Sequence, residues 1–157
     1  MPISVLYKYK WHILVTMYTQ DIGPYIKDSH SLSLETTFDL VQLARRGVSR
    51  KTLRLVSEGL GIPVKLLVPK LPIAERTLQR YALEDYLPTH VSEQIIQWAQ
   101  LLAFGKKVFN EEAVFQDWMQ RQNRALGENR PSDLLDTRQG VELLLQLLGQ
   151  IEHGVYR

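Results

Sequence analysis

The last third of the chain limits its fold most tightly. It runs Asn123-Arg124-Ala125-Leu126-Gly127, then Pro131-Ser132-Asp133-Leu134-Leu135-Asp136-Thr137, then Gly140 and a leucine-rich stretch ending Ile151-Glu152-His153-Gly154-Val155-Tyr156-Arg157. Glycine, proline and carboxylates break the first part into a short loop, because each disfavours a continuing helix. Past it, Val141, Leu144, Leu145, Leu148 and Ile151 recur at helical spacing, while Leu143 and Leu147 form a second stripe. A helix apolar along two stripes needs cover on both. Either the Trp98 and Trp118 helices of the same chain supply it, or a second copy does. Closed two-fold dimers are the commonest oligomers, so the reading favoured here is a homodimer with Trp98, Leu102, Leu144 and Leu148 as dimerisation residues.

Upstream, the same periodicity predicts a succession of helices. One spans Glu35 to Arg46 and stops at Gly47. Ser49 caps a second, which runs to about Leu60 with Gly61 as its stop. Pro63 sits in the first turn of a short third helix through Leu66-Leu67, and Pro69 and Pro72 bracket a tight connection. A fourth helix covers Ala74 to Ala82. After Pro88, Thr89 or Ser92 caps a long helix whose Ile95, Ile96, Trp98, Ala99, Leu101, Leu102 and Ala103 demand burial on two sides. A helix near Glu111 to Gln120 buries Val114, Phe115 and Trp118, and Asp136 caps the last helix with Gln139 three residues on. Only the start of the chain departs from this pattern. Ile3, Val5, Tyr7, Tyr9 and Trp11 alternate as in a strand, so residues from Met1 to about His30 read as an appendage, and Met17 is an alternative native start. The expected fold is all-α, with an extension over residues 1–32, a first helical domain over 33–88 and a second over 89–157.

Several chemistries are excluded or disfavoured. There is no cysteine, hence no disulfide, thiolate metal site or thiol nucleophile. His12, His30, His90 and His153 are too dispersed to form a ligand cluster. The acidic pairs Glu84-Asp85, Glu111-Glu112 and Asp133/Asp136 fall at helix ends, where capping explains them. Gly59-Leu60-Gly61 lacks the strand and lysine of a phosphate loop. The apolar run Trp11 to Tyr18 falls short of the about 20 residues that span a bilayer, and no small-residue cleavage site follows it. The expectation is a cytoplasmic protein without enzyme activity, cofactor, metal, membrane contact or small-molecule substrate.

Charge is unevenly placed. Through Lys70 the chain holds ten Lys/Arg against five Asp/Glu, and from Leu71 onward nine against twelve. A basic front suits phosphates. Pro63 to Leu83 reads as a short helix, a tight turn and a second helix, with Leu67, Leu71, Ile73, Leu78 and Tyr81 inside. That leaves Ala74, Glu75, Arg76, Thr77, Gln79 and Arg80 as the DNA-binding candidates. Arg76 and Arg80 lie one turn apart for guanine or phosphate, and Gln79 suits adenine. Arg45, Arg46, Arg50, Lys51 and Arg54 would add backbone contacts. An ordinary helical hairpin has the same spacing, and Pro72 stands where a turn glycine is usual.

Two stretches carry a family resemblance. Trp118, Ala125-Leu126-Gly127, Pro131, Leu134 to Thr137, Gly140 and Ile151-Glu152 with Gly154 resemble, in order, the C-terminal domain of the Xre/MbcA/ParS-type antitoxins, partners of RES-domain toxins in bacterial operons. Arg76-Thr77-Leu78-Gln79-Arg80 and Leu87 to Glu93 resemble that family's Xre-like helix-turn-helix domain. The resemblance implies an antitoxin that blocks the active-site entrance of an NAD-consuming RES toxin and represses its own operon. It also implies toxin contact by Ile151, Glu152, His153, Gly154, Val155, Tyr156 and Arg157; the family is often small and apolar where this chain ends in arginine. The implied partners are the toxin, operator DNA and a second copy. Two alternatives stand beside it: a dimeric repressor without a toxin partner, and an interaction module that binds no DNA.

Overall fold

In the computed structural model, residues 20–26 and 34–154 are described. The strand expected around Ile3 to Trp11 lies outside them, as do Val155, Tyr156 and Arg157. The described residues form an all-α fold. Helices α1 (Thr37–Arg46), α2 (Arg50–Leu60), α3 (Val64–Leu67) and α4 (Glu75–Leu78) lead into the long α5 (Thr89–Phe109), followed by α6 (Glu112–Gln120) and α7 (Arg138–Glu152). Short 3-10 turns occupy Gln20–Tyr25, Val68–Lys70, Arg124–Leu126 and Pro131–Asp136.

Helix α5 is the axis of the molecule. Helices α1, α2, α6 and α7 and the Gln20–Tyr25 turn all pack on it. Its Val91, Ile95, Trp98, Ala99, Leu101 and Leu102 have no exposed surface, as a helix covered from several sides requires. One apolar cluster runs from Ile22 to Leu148 without a break between the front and back helices. Ile22 and Ile26 belong to it, so part of the segment read as an appendage is core. The sequence pattern there is too short to register as a periodic element.

The helix ends show how local chemistry sets the frame. Thr36 caps α1 and forms a capping box with Asp39, whose carboxylate accepts from the Thr36 amide at 2.7 Å. Ser49 caps α2, and Gly61 ends it in the left-handed conformation at φ 67°, where a side chain would be strained. Two expected caps are displaced. Neither Thr89 nor Ser92 caps α5; its cap residue is Pro88, and the Ser92 hydroxyl is buried, accepting from the Val48 amide and donating to the Leu87 carbonyl, each at 3.0 Å. The last helix is capped by Thr137, not Asp136: Thr137 Oγ1 accepts from the Gly140 amide at 3.0 Å. Val114, expected inside, is exposed, while Phe115 and Met119 are fully buried. Among the described residues, no helix is long and apolar enough to cross a membrane.

Candidate functional site

The front surface is built on a shorter helix than the spacing predicts. Helix α4 is one turn, Glu75–Leu78, rather than a helix to Ala82. The Thr77 and Leu78 amides donate to the Ala74 carbonyl, after which the Arg80 and Tyr81 amides reach back only three residues, to Thr77 and Leu78. A local competitor ends it: the Ala82 amide, which a longer helix would send to the Leu78 carbonyl, donates instead to Asp85 Oδ2 at 2.7 Å. The loop beyond is held across the molecule. The first turn of α2 has amides without helical partners, and these capture the loop: the Arg50 amide takes the Asp85 carbonyl at 3.1 Å and the Lys51 amide takes Leu83 at 2.8 Å. The Arg50 guanidinium adds a bond to the Tyr81 carbonyl at 2.7 Å.

What remains is an exposed ridge above a buried base. Leu67, Val68, Leu71 and Leu78 are buried, with Ile73 and Tyr81 half-buried beside them. Ala74, Glu75, Arg76, Thr77, Gln79 and Arg80 are all exposed. Gln79 Nε2 approaches Glu75 Oε1 at 3.4 Å. Arg45 and Arg46 are exposed at the end of α1, while Arg54 pairs with Glu58 at 3.1 Å on α2.

The back surface is shaped by close packing. A Cβ on Gly105 would lie 2.1 Å from the Phe115 ring, so α6 reaches α5 only because this position lacks a side chain. A Cβ on Gly140 would lie 2.0 Å from the Leu134 carbonyl oxygen. The Asn123 to Asn129 loop closes on itself through the Asn123 amide and the Asn129 carbonyl at 3.0 Å, with Leu126 turned into the core. Pro131, Ser132 and Leu135 are buried. The Leu135 carbonyl accepts two bonds, from Trp98 Nε1 at 3.0 Å and from Gln94 Nε2 at 2.9 Å. Phe109, Phe115 and Trp118 form an aromatic group with centroids 5.7–6.1 Å apart. At the end of α7, Ile151 is half-buried, Glu152 pairs with Lys107 at 3.6 Å, and His153 and Gly154 are exposed.

The four dimerisation residues require correction. Trp98, Leu102, Leu144 and Leu148 have no exposed surface in a single chain. Both leucine stripes find their cover within the molecule, against α5 and its neighbours, apart from Leu143, which is 43% exposed. Sequence periodicity reports that a stripe is covered, not by which chain.

Residues 105–154 match the family model described as the antitoxin Xre/MbcA/ParS C-terminal toxin-binding domain. The C-terminal third of the chain is thus similar to the toxin-binding domain of the Xre/MbcA/ParS antitoxins. Similar proteins agree. It is 24% identical over 128 residues to a Prs ADP-ribosylating antitoxin of Sphingobium sp. (strain YBL2), covering 75% of this chain and 80% of that protein. It is 26% identical to an Antitoxin Xre of Yersinia enterocolitica over 74% of this chain and 80% of the relative. It is 32% identical to an Antitoxin Xre of Photorhabdus laumondii over 41% of this chain and 44% of that one. These matches support antitoxin function and a toxin protein as partner. The matched segment opens at the close-contact Gly105 and takes in the aromatic group, the two irregular loops and all of α7. Sequence reasoning missed Gln94, a polar residue one turn before Trp98 on an otherwise apolar helix. Its position there was the available signal, since a polar group on such a face needs a partner.

Proposed function

We propose that the protein neutralises a RES-type, NAD-consuming toxin by seating its matched C-terminal domain, with the tail Ile151 to Arg157, over the toxin's substrate entrance, and that it represses its own operon through Ala74 to Arg80. The single observation that carries the first half is the match of residues 105–154 to a toxin-binding domain. The Sphingobium relative's name couples the word antitoxin with ADP-ribosylation, a chemistry that suits an NAD-consuming partner. The mechanism is steric: it asks for no catalysis, cofactor or metal from this chain. Beyond the four buried side chains, the exposed Leu143 on α7 is a surface for self-association that remains. Two units, a DNA-facing front and a toxin-facing back, share one core in this reading. A cytoplasmic setting follows from the proposed contact with the operon's DNA.

The DNA half rests on six adjacent exposed side chains above a buried Leu78. Arg76→Ala with Arg80→Ala should abolish a gel shift with the duplex upstream of the reading frame; unchanged, salt-insensitive binding would refute the assignment. Deleting Gly154 to Arg157 should release toxicity in co-expressing cells without unfolding the protein; cells still protected would refute the plug. A second reading, an interaction module that binds no DNA, is favoured by the length of α4. Its four residues give ~6 Å of helix, short for lying along a major groove.

A further inference from the structure

Gln94 stands outside the matched toxin-binding segment, yet its side chain reaches into it. The carboxamide has two N–H groups, and both are used. One donates to the Leu135 carbonyl at 2.9 Å, in the 3-10 turn of the back loop; the other donates to the Lys70 carbonyl at 2.8 Å, at the end of the Val68–Lys70 turn. Two carbonyl acceptors leave no doubt about which end of the amide is nitrogen. Lys70 lies two residues before Pro72 and four before Ala74, the first of the front candidates. Lys70 Nζ also approaches the Asp133 carbonyl at 3.4 Å, a longer and more exposed contact. The Leu135 carbonyl meanwhile takes Trp98 Nε1 as its second donor, so the loop is anchored on a fully buried side chain. Front turn and back loop, 65 positions apart in the chain, are thus joined by a half-buried side chain on the axial helix.

We infer that Gln94 is a positioning residue that couples the two surfaces, so that a partner seated on the Pro131–Asp136 turn alters how Ala74 to Arg80 are presented. This rests on the proposed function for its biological meaning, but the link itself is testable without either ligand. Bonds to one amide group are not independent: a loop that draws Leu135 away must rotate the amide, and the Lys70 bond lengthens with it. Coupling of this kind is defined by how much a change at one site alters the other, and it is reciprocal.

Gly140 supplies a lever on the back loop, because any side chain there must push the Leu134 carbonyl. In the full-length protein, Gly140→Ala should accelerate amide exchange over residues 72–81 about fivefold or more, the lower range of measured couplings. In a Gln94→Met background, exchange there should already be raised, and adding Gly140→Ala should change it less than twofold. Asp133→Ala is a milder lever, removing the Arg130 amide bond to Asp133 Oδ2 at 3.1 Å, and should behave the same way if the alanine at 140 prevents folding. A merely structural role for Gln94 predicts additive effects instead, and additivity with both levers would overturn the inference. The binding arm separates this from the functional reading. If the wild-type protein binds the upstream duplex and its co-expressed toxin, but each with the same affinity whether or not the other is present, the coupling falls and the function stands. If it binds neither, the functional reading falls and takes the regulatory role with it.

Discussion

The front turn and the back loop are both short and irregular, yet they are held by different forces. At the front, backbone capture sets the shape: α2 amides and Arg50 take the carbonyls of Tyr81, Leu83 and Asp85, and within residues 74–85 only Leu78 is buried. Six consecutive-surface side chains are left without a packing role. At the back, side-chain packing sets the shape: Pro131, Ser132 and Leu135 are buried and Gly140 lies against a carbonyl. The contrast teaches where mutations should register. Front substitutions should change what the surface binds and leave stability alone. Back substitutions should be felt first as stability, and as binding only through it.

The strongest way to break that comparison is Trp98→Ala. The side chain is fully buried and anchors the Leu135 carbonyl. Its loss should cost about 3–5 kcal/mol in denaturant unfolding. If the variant were as stable as wild type but had lost self-association, Trp98 would be an interface residue and not part of the single chain's core. Gly140→Ala comes next. The obstacle its Cβ meets is backbone rather than a flexible side-chain end, so the expected cost is about 1–3 kcal/mol, the range of overpacked cores. A neutral result in the same unfolding measurement would mean that the loop yields freely, and the distinction between captured and packed segments would collapse.

How far the chain was legible depended on which force was acting. Ser49 and Gly61 marked α2 because caps and left-handed stops are local chemistry. Phe115 and the α7 stripe were legible because periodicity reports burial. The truncation of α4 was not legible, since apolar spacing does not show that the Asp85 carboxylate takes the Ala82 amide, nor that α2 amides hold the loop beyond it. The placement of Trp98, Leu102, Leu144 and Leu148 inside one chain was equally hidden: apolar spacing is the same whether a neighbour or a copy covers it. Asp136 and Thr137 are both good caps, and a one-residue choice between them turns on which oxygen reaches the Gly140 amide. The domain type of the C-terminal segment was readable from its loop pattern, while its toxin-contact residues and the DNA-facing residues remain a proposal.

Smaller effects sharpen the comparison. Arg76→Ala with Arg80→Ala should shift unfolding by no more than about 0.5 kcal/mol, as exposed substitutions do, while either substitution alone should weaken DNA binding and reduce its salt slope by about one. A larger loss of stability would show that the front has a packing role after all. Lys106 tests the back. Its ammonium lies 2.7 Å from Glu112 and 6.0 Å from the centre of the Tyr25 ring. The hydrogen bond to Glu112 raises its pKa above the ordinary 10.5, against a smaller opposing effect of burial. A raised value means stability fully present below 10.5 and lost as pH rises through the folded value. Lys106→Met should therefore be less stable than wild type near neutrality, with the gap closing in alkali and shrinking in salt, because both side chains are partly exposed.

Asp39 gives the faintest signal and the opposite sign. Its carboxylate accepts from the Thr36 amide, the Thr36 hydroxyl and the Glu35 amide, and the Thr36 backbone bond is the main reason its pKa falls below the ordinary 3.8. A depressed value contributes stability above 3.8 that disappears as pH falls through the folded value. Asp39→Asn should fray the first turn of α1 at neutral pH, seen as faster amide exchange at Phe38 to Leu40. Below the folded pKa the variant and the wild type should exchange alike. Because the group is solvent-exposed, global unfolding should barely register the change. If instead the gap persisted in acid, the carboxylate's charge would be irrelevant to the cap, and the geometry of the amide bonds alone would be holding the helix end.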